Sequence, residues 1–411
     1  MNDKANAVER VIGLDAHPDS FTAAMLRGPT PAAAVVEKVF NQVPMAQLRS
    51  WAQKHTTPQD LIVLEASGNS FQVVRTLAEL GRAAKVLESC HLGKLKEAHA
   101  NNDKISATRI GKAYLAGTAK EVWVPDPKTQ EWRDWFHAYH KATKRTTQMR
   151  SRLRSYLSDN GVRLKAGTAL TKLQEAESQI RQARQWSGRQ WQVIVIYLAE
   201  LRHADEQRQH WHSLIAQEVL AEPELLQLVR LCGVREIIAF ALAAFIGDIK
   251  RFASPKKLVK YVGLNPAFDD SGDSQWHGGI GGHGHKVLRS LLIEGAQAIV
   301  RASQTPLASW GRKLLAAKGS LNLAVAAVAR KLTVALWYLM MGRWTALEEL
   351  DARLLRKVSY LVSAVGEPGL KALGKIRKAY REEVCQRLKS TRTYLLDPDK
   401  KYAPHPAANP A

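Results

Sequence analysis

Cysteine is scarce in this chain. Cys90, Cys232 and Cys385 are the three among 411 residues. Their odd count, their wide spacing and the lack of any CxxC pair argue against a disulfide framework and against a zinc finger, and fit a reducing compartment. No GKS or GKT triplet occurs, so a nucleotide-binding P-loop has no support. The first ten residues, MNDKANAVER, are polar and do not read as a signal peptide. Long uncharged apolar runs are missing as well. Ile237–Ile246 is too short to span a bilayer, and Leu321–Met341 carries Asn322, Arg330 and Lys331. Both read as buried helices of a soluble protein. No internal repeat stands out. Acidic residues are in short supply: 38 Asp and Glu face 60 Lys and Arg, for a net charge of +22. That imbalance points to a polyanionic partner, with nucleic acid ahead of an anionic membrane.

What is present is enough apolar residue, 45%, for buried cores. The length predicts two or three domains. Residues 1–127 alternate strand-like and helix-like patterns. Val11–Leu14, Phe21–Leu26, Val35–Phe40, Leu61–Leu64, Ala84–Leu87 and Val122–Val124 read as strands. Ala46–His55, Phe71–Leu80 and Ile105–Leu115 read as helices. The order suggests a mixed α/β sheet. Pro125 and Pro127 mark a boundary. Residues 128–221 read as a charged helical arm or coiled-coil hairpin. Residues 222–347 read as a mostly helical domain punctuated by glycine, and 348–411 as a basic helical tail with a disordered end.

Carboxylates in the first region draw attention. Asp15 and Glu65 each end an apolar run, and Asp103 opens a helix. If the strands are neighbours, acids gather at one sheet edge, which is costly unless a cation neutralises them. Mg²⁺ favours oxygen ligands and bridges to phosphate, so the pattern fits metal-dependent phosphoryl transfer. Strand-terminal acids also cap loops and helices, and Asp103 has the alternative reading of an N-cap.

Residues 267–289, AFDDSGDSQWHGGIGGHGHKVLR, are the strangest stretch. His283 and His285 have metal-ligand chemistry but no neighbouring cysteines, so a zinc site is weakly signalled. The glycines between Gly278 and Gly284 would let backbone approach a phosphate, with Lys286 and Arg289 adding charge. Ser271 and Ser274 lie beside acids and His277; an exposed loop serine is the commoner reading, a nucleophile the sharper one. The corners in LVRLCGVREIIAFALAAFIGD and LVKYVGLNP read either as helix–turn–helix contacts to DNA phosphates or as plain helix packing.

Several of these blocks together resemble the insertion-sequence one-ten family of DEDD transposases, relatives of the Piv-type DNA invertase. VIGLDAHPDSF, LIVLEASG and NNDKISATRIGKAYLAG are similar to the family's three acidic blocks. FIGDIKRFASPKKLVKYVGLNPAFDDSG followed by GHGHKVLRSLLIEGAQA is similar to its second domain. The resemblance covers roughly residues 10–345.

It implies a RuvC-like, RNase H-type fold for the first domain, followed by the helical arm and a mostly α transposase domain. It implies a Mg²⁺ (or Mn²⁺) site from Asp15, Glu65 and Asp103. It implies Ser271 as the nucleophile that forms a phosphoserine link to DNA. It also implies a structured noncoding guide RNA, the bridge RNA, pairing with donor and target double-stranded DNA, and a homodimer or homotetramer. The family pattern has a fourth acid three residues after Asp103. Here Ser106 stands there, able to ligate an ion but adding no charge, and Asp19 is a possible substitute. Lys141, Lys144, Arg145, Arg150, Arg152 and Arg154 of the arm, with Lys286 and Arg289, are expected to neutralise phosphates. The expected setting is a bacterial cytoplasm, with work on the nucleoid and no membrane partner. Two other readings remain: a RuvC-like Holliday-junction or structure-specific nuclease that needs no serine, and a non-catalytic nucleic-acid-binding relative.

Overall fold

The computed structural model describes residues 10–89, 102–164, 173–271, 274–281, 283–342 and 351–390. It divides into two compact units, Met1–Asp126 and Pro127–Ala411.

Six strands of the first unit form one sheet. They are β1 (Val11–Ala16), β2 (Ser20–Arg27), β3 (Val35–Pro44), β4 (Leu61–Glu65), β5 (Ala83–Leu87) and β6 (Glu121–Val122). Their spatial order is β3-β2-β1-β4-β5-β6. The first three strands run antiparallel, β4 and β5 run parallel to β1, and β6 closes the edge antiparallel to β5. β1 and β4 are apolar at successive positions because both sheet faces are covered. Ile12, Leu14, Ile62 and Leu64 pack against Leu48 and Trp51 of helix Leu48–His55 and against Val73 and Leu77 of helix Ser70–Glu79. The alternate residues Val11, Leu61 and Val63 pack on the other face against Ile110 and Ala113 of helix Asp103–Leu115. This partition follows from the two-residue period of a strand.

The register of β1 on β4 is pinned at its start. Arg10 donates to both carboxylate oxygens of Asp60, Nε at 2.9 Å and Nη2 at 2.7 Å. The Leu61 amide donates to the Arg10 carbonyl at 2.9 Å. Burial pushes the Asp60 carboxyl up, but the hydrogen bonds from Arg10 and the Thr57 amide outweigh it and hold the group below the usual carboxylate range.

In the second unit, helices Pro127–Asp159 and Gly188–Ala221 pack along each other within one chain. Met149, Leu153 and Leu157 recur at helical spacing and meet Ile194, Leu198 and Leu201. Ser187 and Gln190 form a capping box at the start of the second helix.

The same unit holds the larger core. It is built by helices Glu236–Ile246, Pro255–Val262, Lys286–Ala302, Pro306–Lys318 and Leu321–Met340. Leu321–Met340 is the one described helix long and apolar enough to cross a bilayer; half of its apolar window is buried in this core. Helices Asp351–Ala372 and Arg377–Ser390 fall where a basic tail is expected. They are docked: Val358, Leu361, Val362, Val365, Val384 and Leu388 are core residues. Ser213 Oγ donates to the Val365 carbonyl at 2.6 Å. The expected disordered end, from 391 onward, lies outside the described residues.

Candidate functional site

The strand register carries the acids of the first unit to one place. Leu14 pairs with Leu64 in the parallel β1–β4 ladder, so Asp15 and Glu65 follow side by side at the carboxyl ends of the two strands. Both continue the row Val11, Leu61 and Val63 that faces helix Asp103–Leu115. That helix lies very close to the sheet. A Cβ at Gly13 would fall 1.9 Å from the Ala107 carbonyl oxygen and 2.8 Å from the Gly111 amide nitrogen. Only glycine permits the approach.

The helix N-terminus then delivers Asp103. The Asn102 side chain accepts from the Ile105 amide at 2.9 Å, so Asn102 takes the capping role. Asp103 is left in the first turn, one turn before the buried Ala107. Ser106 follows at i+3, half-buried.

One member of the group was not singled out in the sequence. The ligand atoms of Asp15, His17 and Asp103 all lie within 4.8 Å of one another. His17 Nε2 is 3.9 Å from Asp15 Oδ2 and 3.7 Å from Asp103 Oδ1. His17 is held through its backbone. Its amide donates to the Ser20 carbonyl at 2.8 Å, and Asn69 Nδ2 donates to its carbonyl at 2.7 Å. The signal was present as Asp-x-His at a strand end, since residues i and i+2 of extended chain share a side. Asp19 is exposed and stands outside the grouped residues.

The donor set suits a divalent cation. Two carboxylates and an imidazole converge, with Glu65 on the adjoining strand and a hydroxyl at Ser106. At bond lengths of about 2.1 Å, neighbouring ligands around a six-coordinate ion stand about 3.0 Å apart and opposite ones about 4.2 Å apart. The distances seen are of that size.

In the second unit the glycine-rich stretch is a hairpin. β7 (Pro266–Ser271) and β8 (Ser274–Ile280) pair antiparallel, with Ser271 opposite Ser274 in the register. Two glycines fix its base. Gly263 has φ +83° and Gly284 φ +101°, and a Cβ on Gly284 would fall 2.5 Å from the Gly263 Cα. Backbone meets backbone there, which explains glycine without invoking a phosphate. Gly282 lies outside the described residues.

Arg289 completes the base. Its Nη1 donates to the carbonyls of His283 at 2.9 Å, Gly281 at 3.3 Å and Gly263 at 3.4 Å. His285 has a structural task too. Its Nδ1 accepts from the Leu288 amide at 3.3 Å as N-cap of helix Lys286–Ala302, and its ring packs on Phe245. Burial, with the nearby charges of Arg133 and Arg251, pushes its pKa down to about 4, so the ring is neutral at physiological pH. The corner at Gly233 also turns inward: a Cβ there would lie 2.5 Å from the Gly295 carbonyl oxygen.

Of the basic residues expected on nucleic acid, Lys141, Lys144, Arg145, Arg152, Arg154 and Lys286 are exposed. Arg150 is half-buried and ion-paired with Asp205 at 3.4 Å.

Residues 227–310 match a family model described as "Transposase IS116/IS110/IS902 family". The chain is also similar to whole proteins. It is 24% identical over 281 residues to the "Transposase for insertion sequence element IS1111A" of Coxiella burnetii, covering 68% of this chain and 77% of that one. A "Probable family 20 transposase" of Pseudomonas aeruginosa is 24% identical over 303 residues, covering 73% and 88%. The "Transposase for insertion sequence element IS1328" of Yersinia enterocolitica is 23% identical over 317 residues, covering 74% and 89%.

Proposed function

We propose that this chain is an insertion-sequence transposase of the IS110 kind, an enzyme that cuts and rejoins DNA at a guide-RNA-selected site. One observation carries the reading. Helix docking brings Asp103 to Asp15, and strand register sets Glu65 next to Asp15, in a chain whose residues 227–310 match a transposase family model. The order β3-β2-β1-β4-β5, with an antiparallel trio and a parallel pair, supports a RuvC-like assignment for the first unit.

In this reading Asp15, Glu65 and Asp103, with Ser106, hold Mg²⁺ or Mn²⁺. A bound divalent ion supplies charge neutralisation to the phosphodiester under attack. Ser271 is the nucleophile. Its Oγ bonds to phosphorus, the P–O bond to one DNA strand breaks, and the departing DNA hydroxyl takes up the proton. The phosphoserine ester conserves the bond energy, and attack by a hydroxyl of the other DNA reverses the step.

Base pairing to a structured noncoding RNA chooses donor and target double-stranded DNA. The protein holds backbones through Lys141, Lys144, Arg145, Arg152, Arg154 and Lys286, with lesser roles for Arg150 and Arg289. Assembly as a homodimer or homotetramer and work on the nucleoid of a bacterial cytoplasm complete the reading.

The test is a denaturing-gel assay for a protein–DNA adduct, with the full chain, flanking RNA, matching DNA and Mg²⁺ or Mn²⁺. Wild type is expected to give the adduct, and Ser271→Ala and Asp15→Ala to lose it. Metal-dependent cutting that survives Ser271→Ala would instead mark a hydrolytic nuclease. Binding of RNA and DNA without cutting would mark a non-catalytic relative.

A further inference from the structure

We infer that His17 is a ligand of the metal held by Asp15 and Asp103, and that its nitrogen biases the site towards Mn²⁺ over Mg²⁺. The inference rests on the reading of that acid group as the metal-holding set. It adds a residue and an ion preference to it.

Geometry comes first. His17 Nε2 stands 3.9 Å from Asp15 Oδ2 and 3.7 Å from Asp103 Oδ1. Both distances are longer than a hydrogen bond, so direct hydrogen bonding to these carboxylates does not account for the ring's position. They fall between the neighbouring and opposite ligand separations of a six-coordinate ion.

Rigidity comes second. The His17 backbone is tied at both its amide and its carbonyl, to Ser20 and to Asn69. Asn69 itself lies in the loop that leaves β4 just after Glu65, and Ser67 Oγ donates to its Oδ1 at 3.0 Å. The His17 main chain is therefore placed by the ends of the strands that carry Asp15 and Glu65.

Chemistry decides the preference. Ser106 brings a neutral hydroxyl at i+3 from Asp103, so the described group gains no fourth carboxylate there. A neutral imidazole adds a donor without adding charge. Mg²⁺ demands near-ideal oxygen coordination and dehydrates reluctantly; Mn²⁺ also favours oxygen ligands, but as a first-row transition ion it gains more than Mg²⁺ from an imidazole nitrogen. Replacing one oxygen donor by nitrogen favours Mn²⁺ by on the order of tenfold. The ring is half-exposed, at 50% of its side-chain surface, so solvent reaches this side of the group.

The experiment uses the purified full-length chain and Mn²⁺, without nucleic acid. Binding is titrated by electron paramagnetic resonance, pulsed measurements read ¹⁴N coupling to the bound ion, and Mg²⁺ is added as competitor. Wild type, His17→Ala, His17→Gln and Asp15→Asn are compared, with circular dichroism to establish that each is folded. Wild type is expected to show ¹⁴N coupling. His17→Ala and His17→Gln should lose that coupling and bind Mn²⁺ about tenfold more weakly, with Mg²⁺ affinity changed less than about threefold. Mn²⁺ binding that Asp15→Asn abolishes, but that shows no ¹⁴N coupling and is indifferent to His17→Ala, overturns the ligand role of His17 and leaves the acid site standing. Mn²⁺ binding indifferent to Asp15→Asn overturns the acid site and the inference with it.

Discussion

Replacing Gly13 with alanine should damage the proposed metal site, which the residue never touches. The added Cβ would lie 1.9 Å from the Ala107 carbonyl oxygen and 2.8 Å from the Gly111 nitrogen. A comfortable contact is about 3.5 Å, so helix Asp103–Leu115 has to retreat by about 1.5 Å. Overpacking costs about 1–3 kcal/mol, and the upper end applies because the opposing atoms are backbone and cannot rotate aside. Asp103 stands one helical turn from Ala107 and moves with it. The 3.7 Å between His17 Nε2 and Asp103 Oδ1 then opens to about 5 Å, beyond the reach of a single ion. Metal affinity should fall about 10- to 100-fold. Gly111→Ala is the control. Its Cβ meets Leu26 Cδ1 at 2.7 Å, the end of a side chain that can turn away. Hydrogen-exchange mass spectrometry of peptides from 11–16 and 103–115, together with Mn²⁺ titration, reads both effects. A Gly13→Ala chain with wild-type protection and an affinity within twofold of wild type would refute this account of how the acids are brought together.

Three further outcomes are expected. Asp60→Ala leaves Arg10 with the Glu37 carboxylate at 3.7 Å and the His55 carbonyl at 3.3 Å and should destabilise the first unit by about 1–3 kcal/mol in thermal unfolding. The Asp60 carboxyl is held below its ordinary range, so its contribution is present above about pH 4 and is lost as pH falls through the lower folded value; the gap to Asp60→Ala should narrow there. His285, pushed down to about 4, contributes stability that is full above about pH 6.5 and declines as pH falls towards 4. His285→Asn keeps a capping side chain and should remove that decline, measured as the unfolding temperature at pH 7.5 and pH 5. Arg289→Ala should raise exchange across residues 274–281 at least about tenfold, because three carbonyls lose their donor. Lys286→Ala should leave that exchange alone and lower DNA affinity with a salt slope smaller by about one. An unchanged hairpin in Arg289→Ala would remove the clamp from the account.

Much of the first unit was legible because its strands are short apolar runs bounded by turn residues, and each expected strand overlaps an observed one. Asp15, Glu65 and Asp103 could be picked out as run-terminal acids. Two features were not readable. His17 does not stand out in the sequence, because its place in the group lies in a distance to Asp103, 86 positions along the chain. Asp103 has two readings in the sequence, cap or ligand; the cap belongs to Asn102, and the ligand reading is a proposal. The glycines of 278–284 suggested a phosphate cradle. Of these, Gly284 is required by a close approach to the Gly263 backbone, whereas a Cβ at Gly279 would meet nothing within 4 Å.

The chain's own pattern thus determined the local elements. Apolar periods of two and of three to four residues set the strands and helices, prolines at 125 and 127 marked the break, and charge composition pointed to a polyanionic partner. Tertiary structure decided which residues meet. Pairing β1 with β4 in parallel, pinned by Arg10 and Asp60, placed Asp15 beside Glu65. A missing Cβ at Gly13 let the helix carry Asp103 to Asp15. Docking of 351–390 made a basic segment part of a core. Local propensity acts over a few residues, whereas a site is a set of distances across many, fixed only once burial and register have selected one packing.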